Sequence, residues 1–107
     1  MVKKTNTLES FIDLFENPLY NEVVDRETRN RIKICVAAYA YEFLNDPTIS
    51  DSDYDKLACS IDTTINTRRP DLDKWFRKEF GSYTGSWINT HPELHKIANI
   101  YGMYRKK

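Results

Sequence analysis

The sequence predicts an all-α fold: a compact single-domain bundle of about five helices arranged round a central helix hairpin. Apolar residues recur at i, i+3, i+4 spacing through most of the chain, and no stretch alternates apolar and polar residues as a half-buried strand does. Proline, Asn-Asp and glycine positions divide these stretches with loops of ordinary length. At 107 residues the chain suits one core. Residues 1–107 are therefore read as one domain, with loose ends at 1–6 and 105–107.

Leu8, Phe11, Ile12, Leu14 and Phe15 lie at helical spacing, with Thr7 as N-cap and Asn17-Pro18 as the stop. Asn21 to Val24 reads as a connector, and Asp25 as the cap of a long helix from Arg26 to about Leu44. In its second half Ile32, Cys35, Val36, Tyr39 and Phe43 form one apolar stripe, while Ile34, Ala37, Tyr41 and Leu44 form another. A helix apolar round so much of its girth is expected at the centre of a fold.

Asn45-Asp46-Pro47-Thr48 is a turn, after which Ser50 and Asp53 make the serine-to-acid pattern of a helix start. Tyr54, Leu57, Ala58 and Ile61 continue as the packing stripe of that helix. After a polar stretch over 63–69, Pro70 or Asp71 opens a helix carrying Leu72, Trp75, Phe76 and Phe80, with Gly81 as its C-terminal stop. Residues 82–86 read as a loop. A last helix starts at Thr90 or His91, with Pro92 in its first turn and Leu94, Ile97, Ala98 and Tyr101 on its buried face.

Composition narrows the function classes. Hydrophobic residues at 40% and aromatic residues at 13% supply enough apolar surface to argue against wholesale disorder. With 16 basic and 16 acidic side chains the net charge is formally zero, so any attraction to nucleic acid must be local. No apolar run is long enough to span a bilayer and the N-terminus has no signal-peptide core, so no membrane association and a cytoplasmic location are expected. Cys35 and Cys59 read as small core fillers, and His91 and His95 lack a third ligand, so neither a disulfide nor a metal site is expected. Three glycines leave no phosphate-cradling loop, and no nucleophile-base-acid set emerges. Independent catalysis is not expected.

One segment carries a more specific signal: Tyr39-Ala40-Tyr41-Glu42-Phe43-Leu44-Asn45-Asp46-Pro47-Thr48-Ile49-Ser50-Asp51-Ser52-Asp53-Tyr54-Asp55-Lys56-Leu57. It resembles the small N-terminal Ia domain of NAD-dependent DNA ligases, with a Tyr-rich helix, a Pro turn and an Ile-x-Asp-x-x-Tyr-Asp-x-Leu stretch. The resemblance implies a ligase Ia-like helix hairpin over residues 26–62. It further implies a site for NAD or nicotinamide mononucleotide, lined by Tyr41, Asp51, Tyr54 and Asp55. Two departures stand beside it. The family usually has histidine where this chain has Glu42, which implies altered phosphate contacts. The chain also has no Lys-x-Asp-Gly and nothing like the rest of a nucleotidyltransferase domain, so it lacks the residues to form the ligase adenylate alone.

The spacing is chemically consistent with such a site. Asp51, Tyr54 and Asp55 stand at i, i+3, i+4 and share a helix face, while Tyr41 lies just before the turn in the preceding helix. Nicotinamide in NAD is a flat cation, suited to a tyrosine ring and to carboxylates that accept hydrogen bonds from ribose hydroxyls. Each residue also has a structural reading: Asp51 and Asp53 suit any helix start, and Tyr54 lies on the apolar stripe.

Thr67-Arg68-Arg69-Pro70-Asp71-Leu72-Asp73-Lys74-Trp75-Phe76, Tyr83-Thr84-Gly85-Ser86-Trp87-Ile88 and His91-Pro92-Glu93-Leu94 resemble small stand-alone ligase-related proteins of bacteriophages and prophages. Lys74, Arg77 and Lys78, with Arg68 and Arg69 before their helix, could form a basic ridge for phosphate or partner contacts. A solvated face salt-bridged to Asp71, Asp73 and Glu79 explains the same residues. Three functions follow as expectations: a non-catalytic nicotinamide-nucleotide module, a phage-encoded factor acting on a host DNA ligase or other DNA-metabolism protein, and a weak DNA-binding accessory.

Overall fold

Pro18 opens a helix, ahead of the connector and the cap that the sequence suggested. The computed structural model describes residues 18–105, and in it α1 runs unbroken over Pro18–Leu44, 27 residues. Proline suits a first helical position because it has no N–H to lose there and its φ is preset. The expected connector Asn21 to Val24 and the expected cap Asp25 therefore both lie inside α1, and the hairpin's first helix starts before Arg26. The helix expected over Thr7 to Glu16 falls outside the described residues.

Three further α-helices follow: α2 at Asp51–Ser60, α3 at Pro70–Glu79 and α4 at Leu94–Arg105, with a short 3-10 helix at Ser86–Thr90. The described chain is thus all-α, as expected, and has no strand. None of its helices is long and apolar enough to cross a membrane. α1 packs on α2, on the 3-10 helix and on α4. Its buried apolar residues are Val24, Ile34, Cys35, Val36, Ala37, Ala38 and Ala40, and of these Ile34, Cys35, Val36 and Ala38 share one core cluster with Ala58, Phe76, Trp87, Ile88 and Ile97 from the other elements.

Several expectations need correction. The apolar stripes of α1 do not both stay covered, since Ile32, Tyr41, Phe43 and Leu44 are all exposed. Cys35 is a core filler, but Cys59 is exposed. α3 ends on Phe80 in extended conformation, and Gly81 has no positive φ, so it is not a left-handed stop. Pro92 and Glu93 form a turn ahead of α4, and the amides of Lys96 and Ile97 bond back to the Glu93 carbonyl. Arg105 belongs to α4 and donates to Asp46 at 2.8 Å, so the order of the chain extends into the segment expected to be loose.

A buried ionic hub joins α1 to α3. Arg31 Nε donates to Glu27 at 2.7 Å and Nη1 to Asp73 at 2.8 Å, while Nη2 reaches the carbonyls of Asp62 at 2.9 Å and Ile65 at 3.0 Å. Glu27 also accepts the Asp62 amide, and Asp73 accepts the amide and hydroxyl of Thr67. Every charge is paired and hydrogen-bonded, which is the condition for keeping it out of water. The guanidinium lies 5.0 Å from the Phe76 ring centroid, an additional favourable contact.

Candidate functional site

The turn between α1 and α2 is held at both ends. Asn45 has a φ of 50°, in the left-handed region that asparagine tolerates better than most residues. That geometry lets the amides of Asn45 and Asp46 satisfy the carbonyls of Tyr41 and Ala40 at 3.2 and 3.0 Å. Asp46 then accepts from the Tyr101 hydroxyl and from Arg105, tying the turn to α4. On the far side, Ser50 Oγ accepts the Asp53 amide at 3.1 Å and starts α2.

Fixed in this way, the hairpin opens a cavity of about 310 Å³. Ala37 and Ala38 of α1 form part of its wall, the turn at 47–49 another part, and Tyr41, Asp51, Tyr54 and Asp55 all line it. The structure thus brings together the four side chains that the sequence placed at a binding site. Tyr41, Asp51 and Asp55 are exposed and Tyr54 is half-buried.

A further wall comes from residues the sequence reading left as a plain loop, Tyr83, Thr84 and Gly85. The Thr84 carbonyl accepts the Tyr54 hydroxyl at 3.3 Å and the Trp87 indole N–H at 2.7 Å. A Cβ on Gly85 would sit 3.3 Å from both Ala38 Cβ and the Tyr54 hydroxyl, so glycine permits the close approach of this loop to α1. Burial pushes the Tyr54 phenol up to about 12, and the Glu42 and Asp55 carboxylates act in the same sense. Tyr54 is therefore a neutral donor at physiological pH, already committed to Thr84. Tyr83 is 96% exposed at the cavity rim. Its only sequence signal is an aromatic residue among Ser, Thr and Gly.

The basic residues are placed elsewhere, and none of the five lines the cavity. Arg68 donates to Asp25 and Arg69 to Asp71, both at 2.8 Å, and Arg69 also pairs with Glu93 at 3.1 Å. Arg77 donates to the Thr63 carbonyl at 2.8 Å and to Asn66. Lys74 and Lys78 are exposed and form no ion pair among the described residues. The expected partner Asp73 is turned inward to Arg31 instead. His91 is buried ahead of α4, where its Nδ1 accepts the Glu93 amide, while His95 is exposed on the helix. Among the described residues no group of three His, Cys, Asp or Glu could hold a metal ion.

No protein-family model, curated protein or solved structure matches this chain.

Proposed function

We propose that this chain is a non-catalytic binding module, related to the Ia domain of NAD-dependent DNA ligases, that holds the nicotinamide end of NAD or of nicotinamide mononucleotide. One observation carries the reading. Tyr41, Asp51, Tyr54 and Asp55, the four positions matched to that domain by order and spacing, line a single cavity.

The chemistry of the lining agrees. A pyridinium ring gains from contact with tyrosine faces, and a carboxylate near it offsets its charge. Asp51 and Asp55 accept hydrogen bonds only, as suits ribose hydroxyls and a carboxamide N–H. Because the Tyr54 hydroxyl is engaged by Thr84, Tyr54 contributes its ring, and selectivity falls to the two carboxylates. These 107 residues contain no Lys-x-Asp-Gly to accept an adenylate, which supports reading them as a binding module.

NMR titration of the full chain with NAD and with nicotinamide mononucleotide tests the reading. The expected result is saturable shifts at Tyr41, Tyr54 and the adjoining turns by millimolar ligand. Unmoved resonances at those positions would refute it.

A further inference from the structure

The cavity has a property that the hairpin alone does not carry: among the described residues no lysine, arginine or histidine lines it, whereas two aspartates do. Glu42, adjacent to Tyr41, is close enough to act on the Tyr54 phenol and adds a third negative charge to the neighbourhood. Three tyrosines also line the cavity, Tyr41, Tyr54 and the rim residue Tyr83. Aromatic rings with carboxylates and no cation are the composition of a cage for an organic cation. A phosphate dianion placed among these groups meets like charge and finds no lysine or arginine in the lining to pair with.

We propose that this cavity selects a flat organic cation that carries no phosphate, the riboside of nicotinamide over its nucleotides, and that Tyr83 closes over the bound ring. The proposal rests on the nicotinamide reading above, in which the nucleotides still bind, and ranks the riboside above them. Tyr83 is suited to the closing role because its side chain is nearly fully exposed while the two residues after it are held in place. The Thr84 carbonyl is fixed by Tyr54 and Trp87, and Gly85 is seated against Ala38. A rigid loop therefore carries an unengaged aromatic ring at the cavity mouth. Lys33 of α1 lies one turn before Ala37 and outside the lining. It is the group through which a phosphate could still be held.

Parallel titrations of the full chain with nicotinamide riboside, nicotinamide mononucleotide and neutral nicotinamide test this. The riboside is expected to bind about tenfold more tightly than the mononucleotide at low salt, from repulsion between the phosphate and the two aspartates. The riboside should also bind more tightly than nicotinamide, which lacks the positive charge. Asp51→Asn with Asp55→Asn should remove both preferences. Tyr83→Ala, at a position too exposed to alter folding, should weaken the riboside about two- to fivefold. A mononucleotide that binds as tightly as the riboside, with that affinity lost in Lys33→Gln, overturns the phosphate exclusion and leaves the nicotinamide reading standing. Equal binding of riboside and nicotinamide overturns the selection for a cation. Absence of shifts with all three ligands removes the nicotinamide reading itself.

Discussion

Arg31 shows how one residue can be ordinary in sequence and decisive in structure. Its side chain is 6% exposed, and those of Glu27 and Asp73 are 4% and 3% exposed. The i, i+4 relation of Glu27 to Arg31 is visible in the sequence and normally marks a surface pair of small effect. The bond to Asp73 and the bonds to the carbonyls of Asp62 and Ile65 are not visible there, because they join residues more than thirty positions apart. Arg31→Ala would leave two carboxylates buried without a counter-charge, a change that typically lowers stability by about 3–5 kcal/mol. Arg68→Ala, which breaks only the exposed pair with Asp25, should lower it by no more than about 1 kcal/mol. Urea unfolding of the two variants beside the parent protein checks both values, and equal midpoints for the two would refute the assigned role of the hub.

At the scale of elements, the starts of α2 and α3 and the end of α1 at Leu44 were legible, whereas the starts of α1 and α4 were not. Ser50 caps α2 as its spacing with Asp53 predicts, and Pro70 opens α3. Pro18 misleads because proline ends one helix and begins another equally well, and only the packing of the chain decides which. The 3-10 helix is too short to leave a periodic signature. The candidate site divides along the same line. Tyr41, Asp51, Tyr54 and Asp55 were matched through the resemblance of their segment, and helical spacing puts the last three on one face of α2. Tyr83 and Gly85 reach the cavity from a loop more than twenty residues beyond the end of α2 at Ser60, and nothing in their local sequence sets that contact. Within α4, Gly102 gives a direct test of helix propensity. A Cβ there would meet nothing within 4 Å and its φ is not positive, so Gly102→Ala should stabilise the chain by about 0.5–1 kcal/mol. A thermal melt that fails to move upward would show that α4 is constrained by more than its own backbone.

The whole molecule is tied together by carboxylates and one histidine whose titration shares a direction. Asp46 joins the interhelical turn to α4, and the Tyr101 hydroxyl foremost holds its carboxyl below the usual range. Hydrogen bonds from Thr64 do the same for Asp62 in the loop before α3. Arg69 lowers both Asp71 at the start of α3 and Glu93 before α4, bridging those two elements. In each case the native state binds protons less readily than the unfolded chain. The stabilisation is therefore present above the unfolded carboxylate values near ~4 and is lost as pH falls through the lower folded values. His91 behaves in the same sense at higher pH. Burial lowers its pKa, so its neutral form stabilises the fold above its ordinary value of 6.5, and that contribution is lost as pH drops through the depressed folded value. Urea midpoints measured from pH 8 to pH 3 should fall in two stages, the upper one assigned to His91 and the lower one to the carboxylates. His91→Asn should remove the upper stage alone, because asparagine can still accept the Glu93 amide but cannot take up a proton. A midpoint that stays level through both ranges, or rises on acidification, would contradict the arrangement of charges that joins these elements.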